Sequence, residues 1–125
     1  RSGGAVARAT VDQRGGSDLE ATEPKPSSFA DTWFDDRERA VIAGDDARLT
    51  VAWSAKEAVQ KALGQGMAIA PGDIRVRSIG SDGSVTVELA GRAADCLADL
   101  GGGTLSLVWR PEGDDHVLVE AHLNS

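Results

Sequence analysis

Cysteine is nearly absent from the chain. Cys96 is the one thiol in 125 residues, which excludes an internal disulfide and a cysteine-rich zinc site. Positive charge is also short: thirteen Lys and Arg face twenty Asp and Glu, a net charge of -7. A nucleic-acid binder needs a basic stripe to displace phosphate counterions, so that class is set aside. The same balance argues against docking on an anionic membrane. No apolar run approaches the roughly 20 residues of a membrane span, and no signal-peptide pattern opens the sequence. A cytoplasmic protein is the expectation. Internal repeats are missing too. The chain opens on Arg1 rather than Met, which points to a piece of something longer.

What is present reads as an ordinary globular domain, with 41% apolar and 26% charged residues. A single domain over residues 1–125 is expected, long enough to bury roughly two thirds of its unfolded surface. Ala5 to Val11 reads as a strand, and Asp12 to Glu20 as a polar turn that becomes extended at Asp18-Leu19-Glu20. Two prolines in Pro24-Lys25-Pro26 break the chain. Phe29 to Ala43 suits two short helices meeting near Phe34-Asp35-Asp36, and Gly44-Asp45-Asp46 ends one helix and caps the next. The strongest helix runs from about Ala47 to Leu63, with Leu49, Ala52, Ala55, Val59, Ala62 and Leu63 on one apolar arc.

After Pro71-Gly72 the period changes to two. Ile74, Val76 and Ile79, then Val85, Val87 and Leu89, flank Gly80-Ser81-Asp82-Gly83 as a hairpin. A short helix over Gly91 to Leu100 and strands over Leu105 to Trp109 and Val117 to Leu123 complete the pattern, the two strands joined by Pro111 to Asp115. The fold class is α+β, an antiparallel sheet packed against the long helix.

Three features carry chemistry. Lys56 falls within the apolar arc, where it either snorkels its ammonium past the core or holds a cation ready for an anionic ligand. Glu57 and Lys61 lie four apart on another face; alone they read as an exposed helix pair. Asp18 and Glu20 point to one side of an extended segment, since side chains alternate along a strand. Taken alone this pair reads as a solvated turn, and with Glu57 alongside it offers three carboxylates to a hard cation such as Mg²⁺. Two nearby lysines complete a set suited to phosphate chemistry. His116 and His122 read as structural or exposed, and Cys96 as a small buried apolar residue.

The combination resembles the 4′-phosphopantetheinyl transferases, specifically their surfactin-type branch. Gly16-Ser17-Asp18-Leu19-Glu20 is similar to the family's G-[IV]-D-[IVL]-E, with Ser17 in place of an aliphatic residue. Trp53-Ser54-Ala55-Lys56-Glu57-Ala58-Val59-Gln60-Lys61 is similar to W-[ST]-x-K-E-[AS]-x-x-K without departure. Ser2-Gly3-Gly4 resembles the H-S-x-G segment, with Arg1 where histidine is usual. Ala62 to Gly66 and Pro71-Gly72-Asp73-Ile74 resemble the turn and returning strand that follow.

The resemblance implies transfer of the phosphopantetheine arm of coenzyme A to a serine of an acyl or peptidyl carrier protein, releasing 3′,5′-ADP. Asp18, Glu20 and Glu57 would hold Mg²⁺; Lys56 and Lys61 would neutralise phosphate charge; Arg1 and Ser2 would contact the 3′-phosphate. The serine proton would pass to Glu57, to Glu20 or to a metal-bound water. Gln65 to Ala70, with Met67 and Ile69, is the candidate carrier-protein surface. Surfactin-type enzymes have two similar halves, and this chain resembles the second, so a homo-oligomer or another segment of a polyketide or fatty-acid synthase would complete the site. A non-catalytic docking module is the competing reading, and a Mg²⁺-dependent phosphohydrolase the third.

Overall fold

The computed structural model describes residues 13–64 and 69–124. The strand expected over Ala5 to Val11, together with Arg1 and Ser2, lies outside them. The first strand, β1, is Gln13–Ala21; two short helices follow, α1 (Ser27–Trp33) and α2 (Asp36–Ile42). The long helix α3 (Asp46–Leu63) leads through a 3-10 turn at Pro71–Asp73 into β2 (Ile74–Ile79) and β3 (Ser84–Leu89). Helix α4 (Gly91–Asp99) precedes β4 (Thr104–Glu112) and β5 (His116–Asn124). The five strands form one antiparallel sheet in the order β1-β5-β4-β3-β2. The α+β class and the sheet against a long helix are as the sequence predicts. Among the described residues, no helix is long and apolar enough to cross a membrane.

The polar turn expected over Asp12 to Glu20 is instead a nine-residue strand. Its composition is poor for a strand, but it pairs with β5 at every position from Gln13↔Asn124 to Ala21↔His116. Cross-strand pairing decides strand formation more than intrinsic preference does.

Helix α3 is capped as its sequence requires. Asp45 accepts from the Arg48 amide at its start, and Gly64 closes it in the left-handed conformation at φ 73°. Its buried arc of Leu49, Ala52, Ala55, Val59, Ala62 and Leu63 meets Ile74, Val76, Val85, Leu107, Val117, Val119 and Ala121 from the sheet. The small residues of this helix let β1 approach it unusually closely. A Cβ at Gly16 would collide with the Ala58 carbonyl and the Ala62 amide, so only glycine fits where strand and helix cross.

Lys56 neither snorkels nor reaches solvent. Its ammonium lies 2.8 Å from Glu38 Oε2, with side chains only 0% and 2% exposed. It also donates to the carbonyls of Pro71 at 2.8 Å and Ile74 at 2.6 Å, so each of its three protons has an acceptor. Glu38 is equally committed. Its Oε1 accepts from the Asp35 amide, closing a capping box at the start of α2, and its Oε2 accepts from Val76 N. Burial pushes the Lys56 ammonium below its ordinary range, and Glu38 opposes that shift. The pair thus ties α2, α3 and β2 together around two buried charges that satisfy each other.

Breaking a buried pair leaves an uncompensated charge, so Lys56→Met is expected to cost about 3–5 kcal/mol. Urea unfolding checks this. A stability equal to wild type would return Lys56 to the role of a free phosphate-binding cation.

Candidate active site

Gly16, Asp18 and Glu20 alternate onto the face of β1 that meets α3, while Ser17 and Leu19 face away. From α3, Ser54, Glu57 and Lys61 follow at helical spacing on the side turned to β1. Asp18 is nearly buried and joins the two elements. Its Oδ2 accepts from Ser54 Oγ at 2.9 Å, and its Oδ1 accepts from Lys61 Nζ at 2.9 Å. Ser54 also reaches the Asp18 carbonyl at 3.1 Å, and Lys61 the Ser17 carbonyl at 3.0 Å. Lys61 therefore pairs across to β1 rather than along the helix with Glu57, while half its side chain stays in solvent.

Glu20 and Glu57 complete a crowded acidic group. Burial, a hydrogen bond with Asp18 and the charges of Asp18 and Glu57 raise Glu20 from 4.5 to about 7, with Lys25 opposing. Burial and then Asp18 raise Glu57, with Lys61 opposing. Carboxylates held this close resist ionising together. Among the described residues, no three acidic, histidine or cysteine side chains are placed so that together they could hold a metal ion. The donor chemistry nonetheless fits a hard divalent cation: every donor is a carboxylate oxygen, and a cation would relieve the repulsion that raises Glu20 and Glu57.

The structure brings together Asp18, Glu20, Glu57 and Lys61. It does not bring Lys56, which the sequence placed among the phosphate-binding residues, because all three of its protons are held in the core by Glu38, Pro71 and Ile74. Ile69 is likewise not part of a carrier-protein surface. It is 1% exposed and packs in the core, while residues 65–68, including Met67, lie outside the described residues. Cys96 is buried as expected, His122 is exposed, and His116 pairs with Asp115 at 2.7 Å. Beyond the carboxylates, an open cavity of about 380 Å³ lies between α1 and the start of α3, lined by Lys25, Ala30, Ile42 and Leu49 among others.

The sequence profile of the 4′-phosphopantetheinyl transferase superfamily matches residues 15–117, which includes all four of these side chains. The chain belongs to that superfamily. Solved structures agree with the fold. Similar to this transferase are a Mycobacterium tuberculosis acyl carrier protein synthase (25% identity, TM-score 0.61, covering 90% of this chain and 96% of that one) and a Neisseria meningitidis holo-[acyl-carrier-protein] synthase (22%, 0.71, 90% and 98%). A Helicobacter pylori holo-[acyl-carrier-protein] synthase in complex with coenzyme A is similar at 15% identity, TM-score 0.70 and coverage of 89% and 99%. A comparison with curated protein sequences returns no significant match. The transferase spans nearly the whole of each short synthase, and its placement as a surfactin-type second half finds no support in these structures.

Two residues of the site's support went unread in the sequence. Ser54 stood inside a motif without a role, and its bond to Asp18 crosses 36 positions. Glu38 had a local signal, since Asp35 and Glu38 stand at capping-box spacing before α2, but its pairing with Lys56 is tertiary.

The raised Glu20 has a signed consequence. A carboxyl whose pKa is higher in the folded state contributes stability that is full below the unfolded value and lost as pH rises through the folded one. In the absence of divalent cations, Glu20 should therefore withdraw stability between about pH 4.5 and pH 7. Thermal melts of wild type and Glu20→Gln across that window check this: the difference between them should grow in favour of the variant toward neutral pH. A constant difference would mean that Glu20 ionises as an ordinary exposed carboxylate.

Proposed function

We propose that the chain transfers the 4′-phosphopantetheine arm of coenzyme A to a serine hydroxyl of an acyl or peptidyl carrier protein. The observation that carries this reading is the convergence of Asp18, Glu20, Glu57 and Lys61 where β1 crosses α3, within the span matched by the transferase superfamily. The coenzyme A held by the Helicobacter pylori synthase of similar fold supports the choice of donor.

The serine oxygen attacks the phosphorus that carries the pantetheine, and the bond from that phosphorus to the bridging oxygen breaks to release 3′,5′-ADP. Asp18, Glu20 and Glu57 would hold Mg²⁺, which when bound neutralises charge on the pyrophosphate and on the departing oxygen. Lys61 uses two protons on Asp18 and Ser17, and its solvent-facing ammonium would direct the third to a phosphate oxygen. The serine proton would pass to a carboxylate of the same group, Glu57 or Glu20. Arg1 and Ser2 would meet the 3′-phosphate. A second copy of the chain, or another segment of a polyketide or fatty-acid synthase, would supply the remaining cations, in a cytoplasmic setting.

Mass spectrometry of a carrier protein incubated with the chain, coenzyme A and Mg²⁺ tests the reading. The expected result is a mass gain equal to the phosphopantetheine arm, abolished by a chelator. Glu57→Gln keeps the helix and should lower the rate by roughly 100-fold or more. No mass gain under any cation would leave a non-catalytic docking module, and transfer undiminished by chelator would remove the carboxylates from the role of metal ligands.

A further inference from the structure

We infer that Ser54 is a positioning residue that fixes the Asp18 carboxylate for the divalent cation, an inference that rests on the reading of Asp18 as a metal ligand. The argument begins with what a serine does inside a helix. Its hydroxyl ordinarily donates back to the carbonyl four residues earlier. Thr50, one turn before Ser54 on the same helix, does this, donating to the Asp46 carbonyl at 2.8 Å. Ser54 does not. Its hydroxyl is directed off the helix to β1, with Asp18 Oδ2 at 2.9 Å and the Asp18 carbonyl at 3.1 Å. Ser54 is 0% exposed, so water offers no alternative partner.

A serine at this position is not explained by the helix, since alanine is the better helix former and would bury no polar atom. It is explained by Asp18. Lys61 holds Oδ1 and Ser54 holds Oδ2, so the carboxylate is gripped at both oxygens by α3. These two donors occupy two of its about four lone-pair sites and the Glu20 carboxyl a third, which a cation would take over on ionising Glu20. Lys61 alone is a weak constraint, because half of its long side chain lies in solvent. Ser54 is short, buried and rigidly placed, and it sets the direction in which Asp18 presents its remaining lone pairs. Loss of such outer partners of ligating groups typically weakens metal affinity.

The test measures Mn²⁺ binding by water-proton relaxation, with no turnover. Ser54→Ala is expected to weaken Mn²⁺ binding by roughly 10–100-fold, and Ser54→Cys, which keeps the shape but loses the strong donor, should do the same. Coenzyme A binding measured without divalent cation should be unchanged in both. Val59→Ala, a buried truncation on the same helix that does not touch Asp18, should lower the melting temperature and leave Mn²⁺ affinity at the wild-type value. Equal weakening by Ser54→Ala and Val59→Ala would overturn the proposal, because it would show general loosening rather than orientation. Wild-type affinity in both Ser54 variants, alongside loss of binding in Asp18→Asn, would overturn it alone. Unchanged affinity in Asp18→Asn would remove the metal reading of Asp18, and this inference with it.

Discussion

The site depends on how closely β1 can lie on α3. At their crossing, a side chain on Gly16 would strike the Ala58 carbonyl and the Ala62 amide, so the strand's backbone rests directly on the helix. Side chains two residues further along the strand then start close to the helix surface. Asp18 is short, yet it reaches Ser54 and Lys61 at 2.9 Å each. A wider separation would leave a buried carboxylate without donors, an arrangement costing several kcal/mol. Glycine before the acidic pair is therefore a geometric requirement of the site and carries no chemistry of its own.

The far side of α3 is held by a different kind of contact. Lys56 and Glu57 are adjacent in sequence but point about 100° apart around the helix. Lys56 turns inward to Glu38, Pro71 and Ile74, and Glu57 turns toward Asp18 and Glu20. The buried pair fixes the helix against α2 and β2, and that in turn fixes which way Glu57 looks. A buried ion pair is an inefficient source of stability compared with apolar packing; here it also accepts from or donates to two strand and turn carbonyls and two amides.

Much of this was legible in the sequence, and the limits have physical causes. The 3.6-residue period of Leu49, Ala52, Ala55, Val59 and Ala62 gave the long helix and its buried arc, and alternation gave the hairpin from Ile74 to Leu89. Alternation also put Asp18 and Glu20 on one side, which holds whether the segment is a turn's end or a full strand. The strand itself was not legible, because its stability comes from β5, a hundred residues later in the chain. Lys56 is anomalous within an apolar arc, but periodicity says only that a residue faces inward. Its partner Glu38 is supplied by another helix. The burial of Ile69 is illegible for the converse reason: it sits in a loop with no period to read, and its carbonyl is held by Gln60 at 2.7 Å while its side chain joins the core.

The central claim is that the reacting phosphates meet Asp18, Glu20, Glu57 and Lys61, on the side of α3 away from Lys56. A crystal structure with coenzyme A and Mn²⁺, using anomalous scattering to locate the metal, tests it most directly. The account predicts a single strong peak in contact with carboxylate oxygens of Asp18, Glu20 and Glu57, with Lys61 on the pyrophosphate and the Lys56–Glu38 pair intact. A metal bound elsewhere, or a pyrophosphate seated on Lys56 with Glu38 displaced, would contradict it.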